Sequence, residues 1–200
     1  MKIHLLILLF CLMASSAWGS ALEGRCQIEF SGSSTLHDFS GQAACQPFIL
    51  FVTGNADAGL EFTDTVIFVS VASMDTDNSK RDVKMREMFE SEKYPQIKAS
   101  PVALSSQMIE RFVAGRSGKN GTLEFNLKIR DIELPQTAQV SNLLEDDKQL
   151  SFDLAFDLSL KSYQLKAPSV LGLIRVGDQV HLKIPVQLNK DKLGLKFLPL

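Results

Sequence analysis

The stretch GTLEFNLKIR, residues 121–130, alternates without a break. Leu123, Phe125, Leu127 and Ile129 fall on one side, and Glu124, Asn126, Lys128 and Arg130 on the other. Successive side chains of a β-strand point to opposite faces, so this is a strand with one apolar and one wet face. The pattern recurs on either side. Phe152, Leu154, Phe156, Leu158 and Leu160 stand against Asp153, Asp157 and Lys161; Val180, Leu182, Ile184, Val186 and Leu188 alternate with Gln179, His181, Lys183 and Gln187. Residues 131–140 are expected to pair back on the first of these strands.

The upstream half reads the same way with less regularity. Residues 25–31 put Ile28 and Phe30 on one face, and 32–41 form a turn-rich loop. Residues 43–53 contain the apolar run Phe48-Ile49-Leu50-Phe51-Val52, with Pro47 marking a bulge or an edge. A turn at 54–59 precedes a third strand at 62–72, carrying Val66, Phe68, Val69 and Val71. A fourth strand is expected at 96–104, bulged at Pro101, and a fifth at 109–114, before a glycine-rich turn at 115–121. Strands wet on one side and joined by turns predict an all-β fold: an antiparallel sheet curled around its apolar face into an eight-stranded barrel. No βαβ alternation supports a parallel sheet.

One segment breaks the pattern: residues 75–97, DTDNSKRDVKMREMFESEKYPQI. Asp75, Asp77, Asn78 and Ser79 are N-cap residues, and Ser79 with Asp82 has the form of a capping box. Met85, Met88 and Phe89 share one face of a short helix, and Pro95 is expected to stop it. The expectation is a helical lid around residues 78–90, laid with its apolar face on the end of the barrel.

The first nineteen residues stand apart. Lys2, an apolar run to Met13 and Ala17-Trp18-Gly19 have the form of a signal peptide, leaving a single domain at 20–200. The apolar run is too short to cross a bilayer, and bulky Phe10 before Cys11 argues against a lipid anchor. Removing this leader takes away one cation and moves the net charge from −2 to −3. A mildly acidic chain without a basic block is a poor nucleic-acid binder. The expected location is the periplasm or outside the cell.

Export leaves Cys26 and Cys45 in an oxidising compartment. If the chain folds back around Thr35 and Leu36, these two face each other across the first hairpin, which predicts a disulfide. The alternative is a pair of buried free thiols. Catalytic signals are weak: His37 and His181 are far apart, no serine or cysteine has a nucleophile setting, and carboxylates fall on solvent faces. No cysteine–histidine spacing or calcium loop points to a metal. The reading is no enzyme, no cofactor and no metal.

Several stretches resemble the YceI-like family. The central one comprises Met74, Asp75, Thr76, Asn78, Arg81, Asp82, Met85, Phe89, Lys93, Tyr94, Pro95 and Ile97. Ser34-Thr35-Leu36-His37-Asp38-Phe39-Ser40-Gly41 resembles the family's first motif in an S-T-x-H-D variant; Gly121-Thr122-Leu123 and residues 172–180 resemble later ones. Lys84 stands where the family often has histidine, which puts any role of that imidazole in doubt. The resemblance implies a secreted, lipocalin-like barrel that binds a polyisoprenoid or isoprenoid quinone; transient contact with a membrane or membrane protein is compatible with that reading, and the sequence leaves monomer and homodimer open.

On that reading the candidate ligand-binding residues are Phe30, His37, Phe68, Arg81, Met85, Met88, Phe89, Phe125, Phe152 and Phe156. Most have an ordinary alternative. His37 packs under a loop held by Asp38 and Thr35; Arg81 and Asp82 form a buried pair that pins the lid; the methionines and phenylalanines are core. Alternation alone cannot separate a filled barrel from a tunnel.

Overall fold

The computed structural model describes residues 20–55, 59–63, 65–102, 121–146, 148–167, 169–170 and 174–189. Strands β1 (Ser20–Ser34), β2 (Phe39–Ala44), β3 (Phe48–Asn55), β4 (Gly59–Thr63) and β5 (Ile67–Ser70) precede helix α1 (Ser79–Met88). Strands β6 (Gln96–Pro101), β7 (Gly121–Ile129), β8 (Ile132–Glu145), β9 (Gln149–Ser159), β10 (Ser169–Val170) and β11 (Ile174–Asn189) follow. Neighbours run β4-β3-β1-β11-β9-β8-β7-β6-β5, every pair antiparallel. β2 and β3 are successive halves of one barrel strand along the same edge of β1, and β4 and β5 are halves of the next. With β10 pairing only the start of β11, the sheet has eight positions, as the alternation predicted. It nearly closes where the chain around β2 meets that around β5, through isolated bridges at Gln42–Asp75 and Cys45–Val69. Gln42 and Asp75 exchange backbone hydrogen bonds of 2.7 and 2.9 Å, and the Gln46 N–H donates to the Phe68 carbonyl at 2.8 Å.

The breaks in the strands correct several expectations. β1 is longer than 25–31 because it carries both β2 and β3. Pairing runs from Gly32↔Phe39 to Gln27↔Ala44 and resumes at Gly24↔Phe48, one residue out of step; the extra residue is the bulge that Pro47 signalled. The single strand expected at 62–72 is two. The Phe51 N–H donates to Thr65 Oγ1 (3.1 Å) where the chain leaves the ladder, and Val71–Ser73 coil into a 3₁₀ turn. The described part of the fourth strand runs Gln96–Pro101 with Pro101 opposite Phe125, the Val102 N–H donates on to the Glu124 carbonyl (3.0 Å), and residues 103–104 lie outside the described residues. β8 extends past 140 to Glu145, with a register slip between Ser141 and Leu144 and left-handed Asn142 (φ 53°). The leader at 1–19, the strand at 109–114 and the turn at 115–120 lie outside the described residues.

Cys26 and Cys45 form the expected disulfide across the β1–β2 hairpin, which fits an oxidising compartment. Its members are 19 residues apart. Closing a loop of that size restricts the unfolded chain by about 3 kcal/mol. Cys45→Ala is therefore expected to lower unfolding stability by about 3 kcal/mol in urea titrations, and reductant to have no further effect on that variant.

The apolar faces gather towards the two ends. Phe89 of the α1 segment packs with Val71, Leu127, Ile129, Leu160 and Tyr163 at one end, and Leu22, Phe48, Leu50, Val186 and Leu188 group at the other. The Tyr163 hydroxyl accepts from Gln136 Nε2 (3.0 Å) and donates to the Leu127 carbonyl (3.3 Å), and burial pushes its pKa up. Beyond β9 the chain turns on Asp178, whose carboxylate accepts from the Lys161 N–H and the Ser159 hydroxyl, both at 2.8 Å. The Lys161 N–H first, then the Ser159 hydroxyl, hold this carboxyl below the usual carboxylate range. A depressed folded-state pKa stabilises above the unfolded value near 4 and ceases to do so as pH falls through the folded one. Thermal melts of the wild type are therefore expected to fall more steeply below about pH 4 than those of Asp178→Asn.

Candidate functional site: a hollow barrel under a helical lid

The inward faces do not meet in the middle. They enclose a cavity of about 350 Å³, where about 10–15 Å³ would admit one water. Its wall reaches from Met85 and Leu160 beneath α1 to Leu22 and Leu188 at the far end. On β11 alone, Val176 and Leu188 both line it, which at 3.3 Å per residue is about 40 Å of strand. The wall is apolar apart from two side chains: among the described residues that line it, Thr76 carries the one hydroxyl and Arg81 the one charge.

Both belong to the start of the lid. The side chain of Asn78 caps α1 by accepting from the Arg81 N–H (3.2 Å). Asp82 is buried and turns back, accepting from the Thr76 N–H (3.0 Å) and its hydroxyl (2.5 Å). Arg81 Nη2 donates to the Thr76 carbonyl at 2.6 Å. Neither the capping box of Ser79 with Asp82 nor the Arg81–Asp82 pair forms; the two residues grip Thr76 separately. Since Asp75 is hydrogen bonded to Gln42, this grip ties the lid to the seam of the barrel.

α1 lies within the lid expected around residues 78–90, but Pro95 is not what ends it. The helix stops at Met88, well before Pro95. Glu90 is left-handed (φ 52°); its N–H donates to the Glu87 carbonyl and that of Ser91 to the Arg86 carbonyl, each at 3.0 Å. That is a Schellman closure, which halts a helix without proline. Glu90 then pairs with Arg130 Nη1 at 2.6 Å, and Arg130 Nη2 donates to the Gln164 carbonyl (3.3 Å), locking the lid onto two turns at the barrel end.

Eight of the ten sequence-derived candidates line the cavity: Phe30, Arg81, Met85, Met88, Phe89, Phe125, Phe152 and Phe156. Phe125 and Phe156 meet edge to face at 5.1 Å. Two candidates lie elsewhere. Phe68 is on the outer face, its ring 5.5 Å from Lys98 Nζ, because the break at Thr65 puts Ile67 and Val69 inward instead. His37 is exposed rather than packed under its loop. The Ser34 hydroxyl donates to its carbonyl (2.6 Å) and accepts from its N–H (3.2 Å), so Ser34 shapes the loop. The lining residues missed from sequence include Phe39 and Ala43, which continue an i, i+2 pattern through Gly41 that a loop reading hid.

Outside the cavity, His181 Nδ1 meets Asp157 Oδ1 at 2.5 Å on the wet face of the barrel. The described residues hold no group of three or more His, Cys, Asp or Glu disposed for a metal.

Comparison with known proteins bears on this architecture. BcnA of Burkholderia cenocepacia shares it with a TM-score of 0.59 at 13% identity, over 81% of this chain and 95% of that one. A polyisoprenoid-binding domain from Saccharophagus degradans, implicated in plant cell wall breakdown, does so with a TM-score of 0.55 at 13% identity, over 84% and 97%. At such identity the likeness is one of fold. No curated protein matches the chain. The family model for the YceI-like domain matches residues 21–188, nearly the whole barrel, and the chain belongs to the YceI-like family.

Proposed function

We propose that this protein is an exported carrier, working in the periplasm or outside the cell, which shelters a long apolar lipid of isoprenoid or quinone type in its barrel and makes or breaks no bond in it. The observation that carries the reading is the cavity: about 350 Å³ with a nearly all-apolar wall. Pockets of that size are in the range that takes small organic ligands. A filled barrel serving only as an interaction module would have Phe and Leu side chains closing this space.

Each buried CH₂-sized group contributes about 0.8 kcal/mol before ordering losses, so several isoprene units suffice for tight binding without an ionic anchor. Phe30, Met85, Met88, Phe89, Phe125, Phe152 and Phe156 would touch the chain, and the pliable methionines suit a flexible ligand. The Saccharophagus neighbour, a polyisoprenoid-binding domain, supports the ligand class. Residues 1–19 would direct export, and cargo transfer would bring the protein into passing contact with a membrane or a membrane protein. Native mass spectrometry of protein purified gently from its own host tests the reading. A bound mass matching a polyprenyl chain or quinone is expected; an apo mass that persists after incubation with quinones and polyprenols would defeat it.

A further inference from the structure

The barrel end opposite the lid is apolar outside as well as inside. Ile49 and Phe51 of β3 are exposed on its outer wall, as are Val102, just beyond β6, and Leu144 of β8, which is 70% exposed. Register places them at that end. Ile49 pairs with Glu23, which pairs in turn with Asn189, the last residue of β11; Phe51 pairs with Ala21, and Leu144 with Ser151 near the start of β9. Exposed Val66 continues the β3 group, since the Phe51 N–H donates to Thr65 Oγ1 (3.1 Å). The lid end bears Leu36 on a loop and Val83 on α1. Single exposed apolar residues are ordinary, whereas a set of them at one end marks a contact.

Their spacing around the wall narrows the partner. β1, β11 and β9 stand between β3 and β8 in the strand order, and β7 between β8 and β6. Those intervening strands turn polar residues outwards, including Glu23, Gln187, Asn189 and Glu124. A protein partner or a second copy would cover one side of the barrel; a bilayer meets a rim on every side as the end dips into its surface. The cavity points the same way. Leu22, Leu150 and Leu188 line it at this end, while the other is fastened by Asp82 on Thr76 and Glu90 on Arg130. A lipid crossing the rim would pass from one apolar medium to another.

The sequence that follows β11 adds to the rim. Residues 190–200, KDKLGLKFLPL, continue from Asn189 with Leu193, Leu195, Phe197, Leu198 and Leu200, and with three lysines against one aspartate. Apolar residues interleaved with lysine favour a membrane interface, where the lysines are drawn to anionic head groups. Glu23, Glu145 and Asp146 on the same rim keep that preference modest, so apolar contact supplies most of the affinity. This segment lies beyond the family match at 21–188.

Resting on the lipid-carrier reading, we infer that the end opposite the lid docks on a bilayer surface. Ile49, Phe51, Val102, Leu144 and the apolar residues of 190–200 seat at the head-group boundary, which turns that end of the cavity to the membrane and the lid to solvent.

The test floats the full-length mature protein with vesicles of phosphatidylcholine, with and without phosphatidylglycerol. The protein is expected to bind both, and those with phosphatidylglycerol a fewfold more tightly. Phe51→Ser with Leu144→Ser, and separately Leu195→Ser with Phe197→Ser, should each weaken binding by at least about tenfold. Leu36→Ser with Val83→Ser at the lid end should leave it unchanged. None of these side chains lines the cavity among the described residues, so ubiquinone loading in detergent, measured on the same variants, should stay at the wild-type level. Equal or greater weakening by the lid-end pair would overturn the orientation. A wild type that loads ubiquinone but floats with neither vesicle would overturn the docking and keep the carrier. A dimer that the rim substitutions dissolve and vesicles do not displace would assign the rim to a second copy instead. Failure to load ubiquinone or polyprenol in detergent would sink the carrier reading itself.

Discussion

Ala99→Phe is expected to abolish lipid binding and leave the barrel folded. Ala99 sits on β6 between Ile67 and Leu127, its cross-strand partners, and all three side chains line the cavity. A phenyl ring placed there enters open space of about 350 Å³ and competes with the ligand for it. In a close-packed core the same enlargement would force side chains off their rotamers at about 1–3 kcal/mol. Ala138 supplies that contrast within one protein. It is fully buried in the lid-end cluster with Tyr163 and does not border the cavity, so Ala138→Phe is expected to destabilise by at least that amount. Thermal melts and lipid titration of the two variants check the pair. Unfolding by Ala99→Phe would mean that the interior is filled; undiminished lipid binding would place the ligand somewhere other than the barrel.

The contrast between those two alanines marks the limit of what the amino-acid pattern shows. Alternation locates Phe125, Leu127, Phe152 and Phe156 on the inside, because a period of two is a property of the strand itself. It is silent on whether the inside is full, since an inward phenylalanine looks the same against a neighbour or against a gap. The Cys26–Cys45 disulfide was legible for a related reason: a hairpin about Thr35 and Leu36 fixes which positions face each other. Phe68 was misread because the parity of a strand survives only as long as its ladder, and the chain leaves the ladder at Thr65. What ends α1 was assigned to Pro95 and is instead Glu90. It takes a left-handed conformation that usually announces itself as glycine, and its bond to Arg130, 40 residues away, accompanies that turn.

The motif residues behave differently from the alternating ones. Ser33 packs on Gly177, Gly41 passes close enough to the Asp75 carbonyl that a Cβ would come within 2.6 Å, and Asp178 holds the turn after β9. The described parts of the stretches at 34–41, 74–97 and 174–180 thus gather towards the lid end of the barrel, whereas Gly121-Thr122-Leu123 opens β7 at the opposite end from Ile129. Of their polar side chains, Thr76 and Arg81 border the cavity, while His37 and Asp38 lie on the exposed loop. Thr76, Arg81 and Asp82 hold the start of the lid through hydrogen bonds centred on Thr76.

Asp82→Ala should show how much of the closure depends on one buried carboxylate. The substitution strands the Thr76 N–H and hydroxyl, both bonded to Asp82 Oδ1, and leaves the Arg81 charge without its neighbouring anion. Losing two hydrogen bonds to a charged acceptor in a buried setting amounts to about 3 kcal/mol. For a domain of this size that lowers the melting temperature by roughly 6–12 °C. Asp82→Asn keeps one acceptor oxygen for Thr76 and is expected to lose roughly half as much. Hydrogen exchange separates this local account from general destabilisation. Amides of Asp75 and Gln42 at the seam and of residues 79–89 in the lid segment should exchange faster in Asp82→Ala, while those of β7, β8 and β9 change only with the global stability. Uniform acceleration across the barrel would mean that lid and barrel unfold as one unit. Acceleration confined to the seam and lid would make the Thr76–Asp82 node the latch on the lid end of the cavity.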